Sequence, residues 1–221
     1  IGVLLGVLWF KFVPDNPKQS PYVNEAELEH INDGRENTVE AKEIAPWGKL
    51  LKSSQFWSLG LQFMITDYIM YVFLAWLPLY LMEVHGFSLS KMGLWAAAPW
   101  LSLMAVVSCC GYLSDKAIAA GFSQNLVKTS TGAVGILLCA CTLFIATRTA
   151  DPMMNVFWLS VALGSLGLTM SASWSSVISM GGRFAGSVSG WMNFWGNIGG
   201  VLAPSVTAWV ATTYGWQAAL A

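Results

Sequence analysis

Five long apolar stretches limit what this sequence of 221 residues can fold into. They cover residues 57–82, 92–113, 126–147, 155–178 and 184–212. A helix of about 20 apolar residues crosses the hydrocarbon core of a bilayer, and each stretch reaches that length. We interpret two shorter apolar runs, 1–13 and 216–221, as pieces of further spans. The sequence therefore predicts an all-α, polytopic membrane protein.

The composition of the chain agrees with this prediction. Charged residues make up 10% of the sequence and apolar residues 55%, and the mean hydropathy is +0.56, outside the usual range of soluble domains. A formal net charge of −1 offers no basic face to a nucleic acid. We therefore expect a lipid bilayer, and no nucleic acid, among the partners.

The cysteines and histidines do not form the pattern of a metal site. They are Cys109, Cys110, Cys139, Cys141, His30 and His85. The cysteines lie in apolar stretches, where we interpret them as small packed residues and expect neither zinc ligands nor disulfides. The sequence predicts no metal and no cofactor. Because no nucleophile lies near a base, we do not expect an enzyme.

Residues 14–56 differ from the rest of the chain because they carry prolines, charges and few large apolar residues. Asn24 and Glu27 have the spacing of a helix-capping box, and they predict a short amphipathic surface helix that ends at Gly34. The segment 47–52, with an aromatic and two basic residues, predicts an interfacial helix that leads into the membrane. We interpret the whole segment as a solvated connection.

Threading the spans in alternation collects most of the basic residues on one face of the membrane. That face receives Lys11, Lys18, Arg35, Lys42, Lys49, Lys52, Lys116, Lys128 and Arg183. Lys91 and Arg148 fall on the other face, and we expect no basic residue within a span. Because basic loops stay in the cytoplasm, we expect residues 14–56 to be cytoplasmic in a multi-pass membrane protein.

Asp67 is the one carboxylate deep within a predicted span. A charge at that depth is costly unless it is paired or faces a water-filled cavity, where it can carry a proton or bind a cation. We therefore interpret Asp67 as an ion-coupling residue. Two alternatives stay open: a structural hydrogen bond to a neighbouring helix, and an error in the limits of the span.

The same span carries polar groups on apolar side chains. Gln62, Tyr68, Tyr71 and Trp76 each combine a ring or an alkyl chain with a hydrogen-bonding group, and Tyr71 shares the helix face of Asp67. Such side chains suit a sugar-like ligand, because rings stack on its CH faces while polar groups bond its oxygens. For Trp76, anchoring at the membrane interface is an equal alternative, and Tyr68 fits either role.

A group of serines surrounds Trp174 in the stretch 155–178. These are Ser171, Ser173, Ser175 and Ser176. A serine hydroxyl can bond the carbonyl four residues earlier in its own helix, so each serine has a structural alternative. The bulky indole of Trp174 among small residues requires a void or a ligand beside it. We predict that Ser171, Ser173 and Trp174 contact the ligand.

Two amide side chains stand in the last long stretch without any charge nearby. Asn193 and Asn197 are four residues apart and share a helix face. Glycines recur in the same stretch at Gly186, Gly190, Gly196 and Gly200. Such glycines let neighbouring helices approach closely in a bilayer, so we predict that this helix faces protein. The asparagines can donate hydrogen bonds to an anion but cannot neutralise it.

Four motifs follow one another along nearly the whole chain. They are PYVNEAEL at 21–28, YVFLAWLPLYL at 71–81, GYLSDK at 111–116, and the run from Gly190 to Pro204 that contains both asparagines. In this order and spacing they resemble the carboxy-terminal half of a major facilitator superfamily transporter. The resemblance is closest to the anion:cation symporters that carry hexuronates, glucarate and galactonate.

The resemblance implies a twelve-helix transporter built of two six-helix bundles. Residues 1–13 would be the end of helix six, 14–56 the central cytoplasmic loop, and 57–221 the C-terminal bundle from helix seven to the start of helix twelve. It implies symport of a small organic anion with H⁺ or Na⁺ by alternating access. Asn193 or Asn197, with Trp174 and the serines beside it, would bind the anion, while the missing N-terminal bundle would supply the coupling acids, the cationic residue and the second wall of the cavity.

The GYLSDK motif resembles the cytoplasmic gating loop of the superfamily, in which an aspartate caps the N-terminus of a neighbouring helix. Asp115 corresponds to that aspartate, with Gly111 and Lys116 beside it, and we assign Arg183 of the next cytoplasmic loop to the same gate. The usual basic cluster after the motif is absent. Asp67 is a second departure, because relatives commonly have an uncharged polar residue nearby.

Proteins of another class also fit this sequence. A non-transporting membrane scaffold or sensor is one alternative, and an inactive, truncated half-transporter is another. A half-transporter would not move substrate alone, because the second wall of its cavity would be missing. Six further spans upstream, with intramembrane arginine and acidic residues, would favour the transporter.

Overall fold

The computed structural model of the protein describes residues 2–14, 17–32 and 45–220, and every regular element in these ranges is helical. The chain divides into two units, 1–44 and 45–221. The first contains α1 (Gly2–Phe12) and α2 (Glu25–Asn32). The second contains α3 (Trp47–Leu50), α4 (Ser54–Glu83), α5 (Leu89–Trp95), α6 (Ala97–Ala119), α7 (Gln124–Arg148), α8 (Pro152–Gly181), α9 (Ala185–Tyr214) and α10 (Trp216–Leu220). The all-α prediction is confirmed.

Helix α2 begins where the capping box predicts. The backbone N–H of Glu27 donates to Oδ1 of Asn24 at 2.8 Å, which satisfies one of the free donors at the helix N-terminus. The predicted end of this helix at Gly34 lies outside the described residues, as do Arg35 and Lys42.

Four stretches of the second unit are long and apolar enough to cross a membrane: Ser54–Glu83, Leu89–Ala119, Gln124–Arg148 and Pro152–Tyr214. The last of these contains both α8 and α9, which are separated by a 3₁₀ turn at Gly182–Phe184. Gly182 has a φ of 48°, a left-handed conformation that glycine adopts readily. All five predicted spans therefore correspond to helices.

The limits of one predicted span are wrong. The stretch 92–113 corresponds to α5 and α6, and α6 continues to Ala119, well into the predicted loop. The residues after Leu113 are mostly polar or small but compatible with a helix, so the loss of apolarity does not end α6. The chain turns instead at Gly121, whose φ is 98°. Ser123 then caps α7, accepting from the N–H of Leu126 at 3.3 Å.

Contacts between helices fix their relative directions in the second unit. Helices α4 and α9 are parallel, because Gly60 meets Trp195 and, further along both helices, Trp76 donates to the carbonyl of Pro204. By the same criterion α8 is antiparallel to α4 and α7, and parallel to α6. The N-termini of α4, α7 and α9 therefore share one end with the C-termini of α6 and α8, as the threading predicts.

This shared end is the basic end of the second unit. It carries Lys49, Lys52, Lys116, Lys128 and Arg183, whereas the opposite, distal end carries Lys91 and Arg148. The asymmetry has the form that the positive-inside rule describes for a cytoplasmic face.

Lys128 corrects the expectation that no basic residue falls within a span. It lies in the second turn of α7, where its Nζ donates to the carbonyl of Ser175 at 3.0 Å and to Oγ of Ser179 at 2.9 Å. Both acceptors belong to the last turns of α8, where the helix dipole favours a cation. The charge is therefore held at the basic end and does not reach the middle of the unit.

Two apolar cores hold the second unit together. The larger core joins α4, α7 and α8 towards the distal end through Phe73, Leu77, Leu81, Cys139, Leu159 and Leu163. The smaller core joins α4, α8 and α9 towards the basic end through Phe56, Leu59, Phe63, Val177, Val188 and Met192. Along α4, the buried polar residues Thr66 and Asp67 lie between the two cores.

Candidate functional site

Asp67 lies near the middle of α4, where its side chain is 8% exposed. It meets α9 at Gly196: a Cβ on Gly196 would collide with Oδ2 of Asp67 and would lie 2.8 Å from the ring of Phe63. Within the described ranges Asp67 has no hydrogen-bond or ion-pair partner. The alternative of a structural hydrogen bond to a neighbouring helix is therefore not realised there.

Three glycines let α9 approach α4 backbone to backbone. Beside Gly196, a Cβ on Gly199 would collide with the carbonyl oxygen of Met64, and one on Gly200 would lie 2.8 Å from the ring of Tyr71. Small residues permit such approach between membrane helices. The predicted close contact is thus present at Gly196 and Gly200.

Another face of α9 is open. Among the described residues, a Cβ on Gly186 or Gly190 would meet nothing within 4 Å, so these two glycines turn away from α4 and their predicted close approach stays a prediction. Asn193 and Asn197 continue this face, the first half-buried and the second exposed. Their amide nitrogens donate one turn back, to the carbonyls of Ser189 at 3.1 Å and Asn193 at 2.8 Å. Each amide keeps an oxygen and a second N–H for a ligand.

Asn193 adjoins Asp67 through Gly196, because residues three apart are neighbours on a helix surface. Phe63, one turn before Asp67, extends the contact to α8, where its ring meets that of Trp174 edge to face with centroids 6.1 Å apart. The indole of Trp174 is 39% exposed. We call these five residues of α4, α8 and α9 the Asp67 patch.

Gln62 and Ser173 connect α4 to α8. Oγ of Ser173 lies 3.2 Å from Oε1 of Gln62 and 2.8 Å from the carbonyl oxygen of Thr169. The single hydroxyl hydrogen of Ser173 is donated to one of these two oxygens at a time. Ser173 is 1% exposed, so the helices enclose it in this conformation. Nε2 of Gln62 is also buried and has no partner among the described residues, which leaves it a donor for a ligand or a water molecule.

Tyr68 and Trp76 connect α4 to α9. The hydroxyl of Tyr68 lies 3.3 Å from Oγ1 of Thr207, and the indole N–H of Trp76 donates to the carbonyl of Pro204 at 3.2 Å. Both side chains are half-buried. The contact of Trp76 corresponds neither to ligand binding nor to anchoring at the membrane interface, because its indole N–H is used in helix packing.

The GYLSDK motif lies in a helix, not in a loop. Gly111 to Lys116 belong to the last turns of α6, because α6 continues beyond the apolar region. Asp115 is exposed, and in the described part of the chain it caps no helix. Nζ of Lys116 lies 4.7 Å from the ring centroid of Tyr112, and Arg183 lies in the turn before α9. The gating roles of these residues stay predictions.

The three helices of the Asp67 patch contain no basic residue. Neither lysine nor arginine occurs in α4, α8 or α9. The patch can donate hydrogen bonds through amides, stack a ring on an apolar surface and hold a proton or a cation, but it cannot neutralise an anion. The described residues contain no group of three or more histidines, cysteines or acids that could bind a metal ion.

Two residues of this region were not predicted from the sequence. Phe63 bridges Asp67 and Trp174, and Gly199 brings α9 onto the backbone of α4. The four-residue spacing between Phe63 and Asp67 places them on one helix face and is a usable signal. Ser171, which was predicted, is half-buried one turn before Trp174 at the edge of the patch.

Comparison with known proteins places this geometry in a family. The chain matches the Major Facilitator Superfamily over residues 1–204. It is 26% identical over 217 residues to the chloroplastic ascorbate transporter of Arabidopsis thaliana, with 98% of this chain and 40% of that protein covered. It is 28% identical over 231 residues to the D-galactonate transporter of Escherichia coli O6:H1, with 100% and 53% covered.

A probable galactarate/D-glucarate transporter of Bacillus subtilis is also 28% identical, over 226 residues that cover 97% of this chain and 49% of that protein. The chain thus spans about half the length of these curated relatives. The family match covers most of the residues, and the helices have the length and alternation that a multi-pass membrane protein requires. The resemblance found in the four motifs is therefore confirmed: the chain belongs to the major facilitator superfamily.

Proposed function

We propose that the complete protein is a secondary active transporter that carries a small organic anion together with H⁺ or Na⁺. The observation that carries this proposal is the Asp67 patch, where an open asparagine face adjoins a buried carboxylate without a described partner. The names of a D-galactonate transporter and a probable galactarate/D-glucarate transporter among the relatives support sugar acids such as hexuronate, glucarate or galactonate as substrates.

Residues of the Asp67 patch, together with Asn197 and Ser171 beside it, have separate roles in this proposal. Asn193 and Asn197 donate hydrogen bonds to the carboxylate and hydroxyl oxygens of the substrate. Trp174 stacks on a CH face of the sugar chain, and Ser171 adds a hydroxyl beside it. Asp67 takes the coupling ion, because a buried acid without a partner in the described structure binds a proton or a cation readily.

The rest of the site belongs to the partner bundle. In this proposal residues 1–13 end helix six, 14–56 form the central loop, and 57–221 form the C-terminal bundle up to the start of helix twelve. The basic end is cytoplasmic, in a bacterial inner membrane. The N-terminal bundle supplies the cationic residue, and one bundle rocks against the other around the substrate, with Asp115 in the cytoplasmic gate.

The asparagine face provides the direct test. We expect Asn193→Ala and Asn197→Ala in the complete gene product each to abolish uptake of a labelled sugar acid, because each removes the amide from the face that meets the substrate. Uptake is measured in proteoliposomes with a panel of sugar acids, aromatic acids and dicarboxylates. Insertion into the membrane and elution as a single species are measured for each variant.

Thr212→Ala is the matched control for these variants. Thr212 lies exposed near the distal end of the same helix, and its hydroxyl bonds the carbonyl of Ala208 at 2.9 Å, as the two asparagines bond carbonyls of α9. We expect its uptake to equal that of the wild type. Normal uptake by both asparagine variants would contradict the assigned site, and no uptake of any organic anion by the wild type would favour a scaffold or sensor.

A further inference from the structure

The closed contact between Asp67 and Gly196 itself holds few oxygen atoms that could bind a metal cation. Helices α4 and α9 are both continuous at the level of Asp67 and Gly196, so their carbonyls there are engaged in the helices' own hydrogen bonds. The groups crowded together are Oδ2 of Asp67, the backbone of Gly196 and the ring of Phe63. Cation sites in transporters use unwound backbone and several converging oxygens. A proton requires only the carboxyl group itself.

The helices packed against this part of α4 contribute no charge. Helix α8 has no titratable side chain, and in α9 the titratable side chain is Tyr214 at the distal end. On α4 the nearest titratable groups to Asp67 are Tyr68, whose hydroxyl pairs with Oγ1 of Thr207 at 3.3 Å, and Tyr71, whose ring packs on α9. Because none of these groups neutralises a carboxylate ion, the closed contact fits the uncharged acid.

Gly196 determines how closely α9 covers this acid. A side chain at this position would collide with Oδ2, so either the helix or the carboxyl group would have to move. Gly186 lies on the same helix, and in the part of the chain that the structure describes nothing lies within 4 Å of a Cβ there. The two glycines therefore lie in the same helix, one in its first turn and one in its interior, and have opposite relations to Asp67.

We propose that Asp67 binds the coupling ion as a proton and that Gly196 positions it, by letting α9 close directly onto the carboxyl group. This inference rests on the transport function proposed above. While the contact is closed, the carboxyl group is uncharged. When α9 moves away from α4, more water reaches the group than at its 8% exposure in the closed contact, the proton passes to a water molecule and the carboxylate remains. Binding and release of the proton are thereby linked to the packing of two helices.

The test uses the complete gene product in proteoliposomes and follows sugar-acid uptake over a pH series, with and without a sodium gradient. We expect wild-type uptake to respond to a pH gradient and not to Na⁺. Asp67→Asn should lose the response to the pH gradient. Gly196→Ala should shift the pH of half-maximal uptake by about one unit towards acid, because water reaches the carboxylate between the separated helices. Gly186→Ala should leave the profile in place.

Two further variants separate this effect from a folding defect. Phe63→Leu removes the ring beside the carboxyl group without adding an atom at the crowded contact, and we expect a shift in the same direction. Asp67→Asn combined with Gly196→Ala should have the pH profile of Asp67→Asn alone, because Gly196 acts through the acid. All variants are checked for a single folded species.

The outcomes distinguish this inference from the proposed function. Sodium-driven uptake that Asp67→Asn abolishes would overturn the assignment of a proton. An unshifted pH profile in both Gly196→Ala and Phe63→Leu would overturn the positioning role, and transport itself would stand in either case. A wild-type protein that moves no sugar acid under any gradient would overturn the proposed function, and the role of Asp67 with it.

Discussion

Tyr80 and Asp67 are both buried polar residues of α4. Neighbouring helices form hydrogen bonds with Tyr80, but in the described ranges they form none with Asp67. The hydroxyl of Tyr80 accepts from Nδ2 of Asn155 at 3.0 Å, and the same amide donates to the carbonyl of Ala146 at 2.8 Å. Asp67 has no such partner in the described ranges. A paired polar group stabilises helix packing, whereas an unpaired one weakens it. The pairing of Tyr80 serves the fold, whereas the role proposed for Asp67 is in transport.

The contacts around Tyr80 connect four helices at the distal end. Besides Asn155 of α8 and Ala146 of α7, they include Trp216 of α10, whose indole N–H donates to Oε2 of Glu83 at 2.9 Å. The ring of Trp216 lies 5.9 Å from that of Tyr80 in an edge-to-face contact. We call these five residues the distal cluster. It holds the ends of α4, α7, α8 and α10 in one arrangement.

The largest effect is expected when the distal cluster loses its shared amide. Asn155→Ala removes both hydrogen bonds and leaves a cavity at a position that is 0% exposed. We expect the free energy of unfolding to fall by about 2–3 kcal/mol. Thermal unfolding of the complete protein in detergent micelles, followed by the loss of helical circular dichroism, measures this.

Ser160→Ala is the matched control in the same helix. The hydroxyl of Ser160 donates to the carbonyl of Val156 at 2.7 Å, a contact within α8 that joins no other helix. We expect a change below about 0.5 kcal/mol. If Asn155→Ala and Ser160→Ala unfold at the same temperature, the distal cluster does not stabilise the packing and the contrast with Asp67 is lost.

Asp67→Asn tests the unpaired residue of this comparison, and we expect the substitution to stabilise the protein. The amide has the shape of the acid and stays uncharged without binding a proton, so the free energy of unfolding should rise by about 1 kcal/mol at neutral pH. The same unfolding assay measures it, with Glu29→Gln on the exposed surface of α2 as control, for which we expect no change. A lower unfolding temperature for Asp67→Asn would mean that Asp67 has a stabilising partner.

The spans were predictable from the sequence because a bilayer requires apolar helices of a set length. The cap of α2 was predictable because Asn24 and Glu27 carry the necessary groups at the necessary spacing. The end of α6 was not. Polarity after Leu113 indicates where apolar residues end, whereas the helix ends only where Gly121 turns the chain.

The residues of the site were predictable from the sequence, but the residues that they contact were not. Asp67 is conspicuous as an acid within a span, and its burial follows from that position. That Gly196, and not Gly186, meets it depends on how α4 and α9 cross, which local spacing does not determine. Gln62 and Ser173 have the residue types of ligand contacts, but they are far apart in the sequence and lie beside each other in the structure.

The smallest expected effect concerns His85, which follows the distal end of α4 and lies outside the spans. Its Nε2 lies 3.3 Å from the hydroxyl of Tyr80. Burial lowers the pKa of His85 and the charge of Asp151 raises it in part, so that the pKa lies below its ordinary value of about 6.5. The unfolded chain then binds this proton at a higher pH than the folded protein. Stability is complete above about pH 6.5 and decreases as the pH falls through the pKa of the folded protein.

We therefore expect the unfolding temperature of the wild type to fall further than that of His85→Gln between about pH 7.5 and about pH 5.5. Asp151→Asn should enlarge the fall, because it removes the charge that raises the pKa of His85. Asparagine still caps α8, as Oδ1 of Asp151 does by accepting from the N–H of Met154 at 2.8 Å. Equal falls in the wild type and His85→Gln would show that the distal cluster is insensitive to protons. Of the distal cluster and the region around Asp67, only the region around Asp67 would then bind a proton.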